Sequence, residues 1–268
     1  MRFRNLLASA LVLVALTACA TRPPATEPEA LAEFELNNDP LEPLNRGMYA
    51  VNNVVDTVAL RPAAVAYRTL VPGPVRDGVR NVLGNLRGPT ILMNDLLQGN
   101  MERAGRTAGR FVINSTLGIG GLVDVAEWQF GIRGHSEDFG QTLATWGLGE
   151  GPFLFLPVLG PSNPRDLLGL GVDAVASPWF WFGQGEVVEI LRWVRAGMTV
   201  LDAREGVLDA LDAVNANSLD PYATLRSAYR QRRAVEVRNA EPAGSQAAGS
   251  TGFGVGVGTP APPASAPR

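Results

Sequence analysis

The chain has 268 residues, a formal net charge of −3, one histidine and one cysteine, and each of its 23 basic side chains is an arginine. The absence of lysine excludes a P-loop nucleotide site, a protein kinase and Schiff-base chemistry, because each of these uses a lysine. A single histidine excludes a metal site built from several imidazoles. A single cysteine excludes an internal disulfide, and the mildly acidic balance gives no nucleic-acid-binding footprint.

The first 18 residues have the pattern of a secretory signal peptide. Arg2 and Arg4 precede an apolar run at 6–16, and small residues then lead to Cys19. The Leu-Thr-Ala-Cys ending resembles a bacterial lipobox, in which the cysteine becomes the lipid-carrying mature N-terminus, so we predict lipidation at Cys19. Ala20 stands where aspartate would favour the inner membrane, which indicates the outer membrane. An ordinary signal peptide with a chance cysteine is the alternative.

Composition divides the remainder into three parts. Residues 19–38 are rich in proline, threonine, alanine and glutamate and predict a flexible tether. Residues 239–268 consist largely of glycine, proline, alanine and serine and predict a disordered tail. Between them, residues 39–238 have the size of a single domain.

Helical patterns dominate this domain. Over 186–215, apolar residues recur every three or four positions and charged residues fill the other face. Pro221 suits the first turn of a last helix that reaches about Arg238. Prolines separate shorter helices upstream, predicted at 46–60, 62–70, 74–86, 90–97 and 101–114. Since no alternating run of strand length is present, we predict an all-α fold with irregular Gly/Pro-rich connections.

Four consecutive aromatic residues form a candidate membrane interface: Trp179, Phe180, Trp181 and Phe182. A helix or strand cannot bury four successive rings on one side. Tryptophan is enriched at membrane–water interfaces, where its ring is apolar and its N–H stays hydrated. An alternative remains equally open, in which two rings face the core and two face a partner or solvent.

The sequence contains no recognisable active-site motif. The Asp-Phe-Gly triplet at 138–140 matches a kinase motif without the lysine that a kinase needs. The G-x-G-x-x-A run at 169–174 follows a helix start at 163–166 and indicates close helix packing. His135 lies in a turn before a helix that we expect Ser136 to cap, and the next two acids suit a first helical turn. We therefore predict no catalytic residue, no metal site and no cofactor.

Several segments, in their order along the chain, together resemble the MlaA (VacJ) family of outer-membrane lipoproteins over about residues 35–235. The motifs are DPLEPLNRGMY at 39–49, NDLLQG at 94–99, RFVINSTLGIGGLVDVA at 110–126, EDFGQTLATWGLGEGP at 137–152 and LPVLGPSNPRD at 156–166. No single motif is sufficient, but the set is highly specific.

The resemblance implies a ring-like helical lipoprotein embedded in the inner leaflet of the outer membrane, with an amphipathic channel. It implies removal of misplaced phospholipid from the outer leaflet and transfer to a soluble periplasmic carrier, with a porin trimer as the membrane neighbour. Two other classes stay open at this point. One is a structural lipoprotein that scaffolds an envelope assembly without moving lipid, and the other is a lipid-modifying enzyme that uses His135.

The stretch 146–162, WGLGEGPFLFLPVLGPS, is a candidate gate for that channel. Glycine leaves the backbone unusually free, and three glycines alternate ahead of an apolar arm. We predict a hinge that moves the arm against the channel mouth; a rigid hairpin with structural glycines is the alternative. The residues assigned to hinge and gate are Gly147, Gly149, Gly151, Phe153, Phe155 and Pro157.

The last predicted helix is basic in an acidic protein. Arg226, Arg230 and Arg233 are its candidate contacts with anionic headgroups or with an acidic carrier surface. A solvated face with no partner is the alternative.

Overall fold

The structure is a computed structural model that describes residues 24, 26–37, 39–181 and 185–239. The helices, in chain order, are α1 (Pro28–Asn37), α2 (Glu42–Val55), α3 (Arg61–Leu70), α4 (Gly73–Leu97), α5 (Met101–Thr116), α6 (Val125–Phe130), α7 (Phe139–Thr145), α8 (Pro164–Ala176), α9 (Pro178–Trp181), α10 (Glu186–Gly206), α11 (Leu208–Asn217) and α12 (Pro221–Val237). Strands β1 (Leu154–Leu156) and β2 (Gly160–Ser162) form an antiparallel hairpin. The all-α prediction is confirmed, with this small hairpin as an addition. None of the described helices is both long and apolar enough to cross a bilayer.

Helices α2 and α3 form one continuous helical segment, so the predicted break before Pro62 is wrong. A π-helical turn, Asp56–Leu60, joins them, and the Arg61 N–H bonds to the Asp56 carbonyl, five residues back. This wider turn accommodates a proline that has no N–H of its own. The Asp56 carboxylate accepts hydrogen bonds from the buried Arg204 at 2.6 and 2.9 Å, which ties the turn to α10.

Helix α4 runs unbroken through Pro89, so the prediction of two helices at 74–86 and 90–97 is also wrong. Tertiary packing outweighs the local cost of the proline. A Cβ added at Gly88 would lie 2.9 Å from the Phe111 ring, which shows that this glycine lets α5 approach α4 closely. The helix predicted at 101–114 is confirmed by α5, and the last helix is confirmed by α12.

The region predicted as one helix at 186–215 is divided into α10 and α11 at Val207. Gly206 ends the first helix, consistent with its low helix propensity. The C-terminal half of α10 runs antiparallel to α4 along a seam of ion pairs. Arg76 contacts Glu205 at 3.1 Å, and Arg80 contacts Asp202 at 3.4 Å.

The distribution of side chains is the reverse of that in an ordinary soluble domain. Among the described residues, polar and charged side chains outnumber apolar ones in the buried set, which includes Asn45, Asn94, Asp95, Gln141, Thr142 and Asp202. Many large apolar side chains are exposed instead, on α2, on α8 to α10 and on the loop at 117–123. Large exposed apolar patches are rare on soluble monomers.

Candidate functional site

Among the described residues, α9 and the N-terminal half of α10 present a strongly apolar exposed surface. Trp181 is 66% exposed and Trp193 is 72% exposed, and Val187, Ile190 and Leu191 are also exposed. Val187, Ile190, Leu191 and Val194 form an apolar stripe along the helix, and each is more than half exposed, so no packing within the described chain covers this face of α10. A lipid environment would solvate such a surface.

The aromatic residues of the run at 179–182 differ in their exposure to solvent. Trp179 is partly buried and donates its Nε1–H to the Leu86 carbonyl at 2.7 Å, so it anchors α9 to α4. Phe180 and Trp181 are exposed, and Phe182 lies outside the described residues. The membrane-interface role stays a prediction, and within the described run Phe180 and Trp181 are the two side chains positioned to serve it.

The candidate gate is the β-hairpin with the glycine-rich segment before it. Phe153 and Phe155 are 2% and 3% exposed and pack with Tyr222 in an aromatic cluster that Tyr49 and Tyr229 extend. Movement of the whole arm would expose this cluster to water. Phe153 and Phe155 are core residues in this structure, so their place in a moving arm stays a prediction that requires this cluster to open.

Two asparagines on one face of α2 hold the hairpin. Buried Asn45 donates from Nδ2 to the Phe153 carbonyl at 2.9 Å and accepts at Oδ1 from the Phe155 N–H at 2.9 Å. Two turns later, Asn52 Oδ1 accepts from the Val158 N–H at 2.9 Å. The first amide thus takes the place of a neighbouring strand, and the second fastens the hairpin turn.

The three glycines before the hairpin have different surroundings. Gly147 and Gly151 have φ values of +92° and +72°, which favour glycine at both positions. Gly149 is not among the positive-φ glycines, and a Cβ there would meet nothing within 4 Å. Pro157 is partly buried at the hairpin turn. A hinge at Gly149 stays a prediction, and it would have to act outside the packed pair of phenylalanines.

The arginines of α12 do not form one exposed face. Arg226 is 7% exposed and pairs with Asp39 at 2.7 Å. Arg233 is 8% exposed and lies 2.6 Å from both Asp138 and Asp166. Burial in these pairs is incompatible with a surface contact, so the carrier-contact prediction is wrong for Arg226 and Arg233. Arg230 is partly buried and donates to Glu150 at 3.1 Å, and its role at a partner surface stays a prediction.

Arg233 changes the protonation of the groups around it. Burial opposes ionisation of Asp138, but the hydrogen bonds and charge of Arg233 outweigh it and lower the pKa of Asp138 to about 2. Asp138 also caps α7 by accepting from the Gln141 N–H at 2.9 Å. The prediction that Ser136 caps this helix is therefore wrong. The same arginine joins α12 to α7 and, through Asp166, to α8.

A second buried polar group connects α4, α7 and α8. Asn94 donates to Asp173 at 2.9 Å and accepts from the Thr142 hydroxyl at 2.8 Å, while Asp173 also accepts from the Phe139 N–H at 2.9 Å. Burial raises the pKa of Asp173. The sequence analysis assigned no role to Asn94 or Thr142, although they lie inside the NDLLQG and EDFGQTLATW motifs, respectively.

His135 belongs to a cluster that could in principle hold a metal ion. Ligand atoms of Asp95, His135 and Glu137 lie within 4.8 Å of one another. Protein groups already contact each of them. His135 Nε2 contacts Asp95 at 2.9 Å, Thr107 donates to Asp95 at 2.6 Å, and Gln98 and Arg103 approach Glu137, both at 2.8 Å. These contacts are those of a structural cluster that holds the loop before α7.

Comparison with known proteins shows similarity in both sequence and structure. The family described as MlaA lipoprotein matches residues 37–236. The chain is similar to the Haemophilus influenzae protein named intermembrane phospholipid transport system lipoprotein MlaA, with 32% identity over 89% of this chain and 92% of that one. The Escherichia coli protein of the same name is 37% identical over 73% of this chain and 76% of that one. A solved structure from work on the structural basis for maintenance of bacterial outer membrane lipid asymmetry shares 35% identity, with a TM-score of 0.63 over 74% of this chain and 98% of that one.

Proposed function

Since the chain belongs to the MlaA lipoprotein family, we propose that it removes mislocalised phospholipid from the outer leaflet of a bacterial outer membrane. The phospholipid passes along an amphipathic path in the helical domain towards the periplasm. This removal maintains the lipid asymmetry of that membrane. The related proteins named for intermembrane phospholipid transport and the solved structure from work on lipid asymmetry support the proposal.

The observation that carries the proposal is the reversed distribution of polar and apolar side chains. Apolar residues on α9 and α10 face outwards, where acyl chains can cover them, and buried asparagines, aspartates and arginines fill the interior. A lipid path needs these two environments together, because the headgroup is charged and the tails are not.

The energetic reason for such a path is the cost of exposing acyl chains. Each CH₂ exposed to water costs about 0.8 kcal/mol, so two tails of about 16 carbons cost on the order of 25 kcal/mol when bare. A protein that shields the tails lowers this barrier without covalent chemistry. With no lysine for a P-loop, the chain supplies a path, and the direction comes from the lipid gradient or from partners.

We further propose that the protein is not an enzyme and acts on the periplasmic side of the membrane. Its anchor is the lipid on Cys19. Its partners are a porin trimer within the membrane and a soluble carrier in the periplasm. The family resemblance supports these assignments. Among Arg226, Arg230 and Arg233, Arg230 remains the candidate contact with the carrier.

Co-purification of lipid tests the proposal. The full lipidated protein is extracted in mild detergent, and phospholipid is quantified per protein by phosphorus analysis and mass spectrometry. An unrelated outer-membrane lipoprotein purified in parallel is the control. We expect about one bound phospholipid per protein above the control. A scaffold protein would carry no more lipid than the control, and that result would contradict the proposal.

A further inference from the structure

The loop at 117–123, which joins α5 to α6, exposes apolar side chains. It contains no charged residue, Leu117 and Ile119 are 63% and 74% exposed, and Leu122 and Val123 are also exposed. We call this segment the apolar loop. Exposed apolar patches of this kind mark sites of interaction with a membrane, a protein or a ligand.

The backbone of the apolar loop makes its hydrogen bonds within the protein. Six of its N–H groups donate to carbonyls of residues 113–119, at 2.8 to 3.4 Å. From α4, the side-chain amides of Asn81 and Asn85 donate to the carbonyls of Leu122 and Gly120 at 3.2 and 3.5 Å. The polar backbone is therefore bonded to the helices behind it, while the apolar side chains are exposed.

Ile119 has an unfavourable backbone conformation at the tip of the apolar loop. Its φ of +53° lies in the left-handed region, where a β-branched residue is strained. Glycine would adopt this conformation without strain, as the next two residues do, with φ values of +68° and +95°. Because packing within the described chain leaves the Ile119 side chain exposed, an apolar environment outside the chain is what would offset the strain.

A bilayer fits this surface better than a protein partner does. Protein interfaces usually form about one hydrogen bond per 100–200 Å², whereas most backbone N–H groups of the apolar loop are already engaged. Irregular segments are normally excluded from hydrocarbon because their unsatisfied N–H and C=O groups are costly there. The internal bonds remove most of that cost, so the loop suits shallow insertion at the boundary between headgroups and acyl chains.

The residues that follow the apolar loop are typical of a membrane–water boundary. Trp128 of α6 is 79% exposed, and tryptophan is enriched at that boundary. Arg110 contacts Asp124 at 2.5 Å and also donates to the Ile132 carbonyl, so the chain returns to the base of the loop at Ile132. The next residue, Arg133, is exposed, and a guanidinium in this place suits the phosphate of a lipid headgroup.

Helix α4 separates the apolar loop from α10. Gly78, Asn81 and Asn85 lie against the loop and, at spacings of three and four residues, share one side of α4. Arg76 and Arg80 lie on the opposite side of α4, where they pair with α10. The loop and α10 are therefore on opposite sides of one helix.

We propose that the apolar loop is a second membrane contact, which inserts at the acyl-chain boundary of a phospholipid bilayer. Together with the candidate interface on α9 and α10, on the other side of α4, it holds the domain in the bilayer at two points. Two separated contacts resist tilting of the domain, which one contact does not. This inference rests on the proposed function, because that function places the protein at a membrane, and it adds an element that fixes the orientation there.

An environment-sensitive fluorophore on the apolar loop tests the proposal. The sulfur of Cys19, the only cysteine, carries the proposed lipid, so Ile119→Cys or Leu117→Cys supplies the single reactive thiol of the full lipidated protein. The labelled protein is reconstituted into vesicles of equimolar phosphatidylethanolamine and phosphatidylglycerol, with and without spin labels on the acyl chains. Ala234→Cys is the matched control, because Ala234 is exposed on the arginine-rich α12.

We expect labels at 117 and 119 to show blue-shifted emission and to be quenched by the spin-labelled lipid several-fold more strongly than the label at 234. The vesicles contain no other protein, so a loop that binds a protein partner instead would remain in water. Quenching at 117 and 119 no stronger than at 234 would therefore overturn the proposal.

Removal of the Ile119 side chain separates membrane contact from a structural role. The assay is vesicle flotation of the mature chain with Cys19→Ser, in which the lipid anchor does not mask the loop. Ile119→Gly should weaken partitioning about tenfold, the loss of one buried isoleucine side chain. Its thermal midpoint should stay the same or rise, because glycine relieves the strain at positive φ.

Leu219→Gly is the matched control for flotation, because Leu219 is fully exposed in the linker before α12. It should leave partitioning unchanged, and Ile119→Asp should weaken partitioning more than Ile119→Gly. Equal partitioning of Ile119→Gly and Leu219→Gly would overturn the contact. A lowered midpoint in Ile119→Gly would also overturn it, since the side chain would then stabilise the fold rather than meet lipid.

Failure of this contact and failure of the proposed function give different results. If the wild-type protein clears outer-leaflet phospholipid while the label at 119 stays in water, the contact is wrong and the function stands. If acyl-chain spin labels quench the label at 119 but deletion of the gene leaves outer-leaflet phospholipid unchanged, the contact stands and the transport function is wrong.

Discussion

Asn45 should be the most sensitive single position of the hairpin anchor. Its side chain is 1% exposed and makes three hydrogen bonds, to Asp39 at 2.8 Å and to the backbone of Phe153 and Phe155 at 2.9 Å each. Asn45→Ala leaves all three buried partners without that bond. An unsatisfied buried group costs about 1–3 kcal/mol, so the three together should lower the free energy of unfolding by about 3 kcal/mol or more.

Two neighbouring asparagines on α2 supply graded controls. Asn52→Ala removes one hydrogen bond at an exposed edge and should cost about 1 kcal/mol. Asn53 is exposed and makes no side-chain hydrogen bond within the described chain, so Asn53→Ala should cost less than about 0.5 kcal/mol. The assay is denaturant unfolding in detergent, followed by tryptophan fluorescence and circular dichroism. If Asn45→Ala costs no more than Asn53→Ala, the amide does not anchor the hairpin and the argument is refuted.

Four further predictions concern the other sites. The pKa of Asp138 is about 2 in the folded chain against an ordinary value of 3.8. This group should therefore contribute roughly 2 kcal/mol of stability above about pH 4, lost as the pH falls towards 2, and Arg233→Met should flatten that part of the pH–stability curve. Gly149→Pro fixes φ at about −65° and should cause outer-leaflet phospholipid to accumulate at normal protein levels; full activity would remove the support for a hinge. Trp181→Ser should weaken partitioning into vesicles without lowering helicity, whereas Trp179→Ser should lower the thermal midpoint because it loses the bond to Leu86; the opposite pattern would exchange their roles. Cys19→Ser should mislocalise the protein, measured by membrane fractionation, and an unlipidated secreted form that fully restores lipid asymmetry would contradict the anchor.

Local sequence signals located most of the helices but not their junctions. The period of apolar residues over 186–215 and the proline at the start of α12 are local signals that act within a few residues, so they can be recognised in the sequence. Pro89 predicts a helix break that does not occur. Gly88 allows Phe111 of α5 to pack closely against α4, and a contact between two helices cannot be inferred from local sequence. The hairpin escaped prediction because each strand has only three residues and its outer partner is an asparagine side chain on α2.

The contacts of the charged residues also could not be predicted from local sequence. A row of arginines on α12 indicated an exposed basic face, but the partners of Arg226 and Arg233 are Asp39, Asp138 and Asp166, which lie far away in sequence. Periodicity assigns a residue to a face of its helix, and only the fold decides what that face contacts.

The central claim, that this chain removes phospholipid from the outer leaflet, is tested most directly in cells. Outer-leaflet phospholipid is quantified by labelling intact cells with a membrane-impermeant reagent for exposed phosphatidylethanolamine, in a strain with the gene, a strain without it and the complemented strain. We predict that deletion raises the exposed phospholipid and that complementation returns it to the wild-type level. Equal labelling in all three strains, with the protein present at its normal level where the gene is intact, would contradict the account.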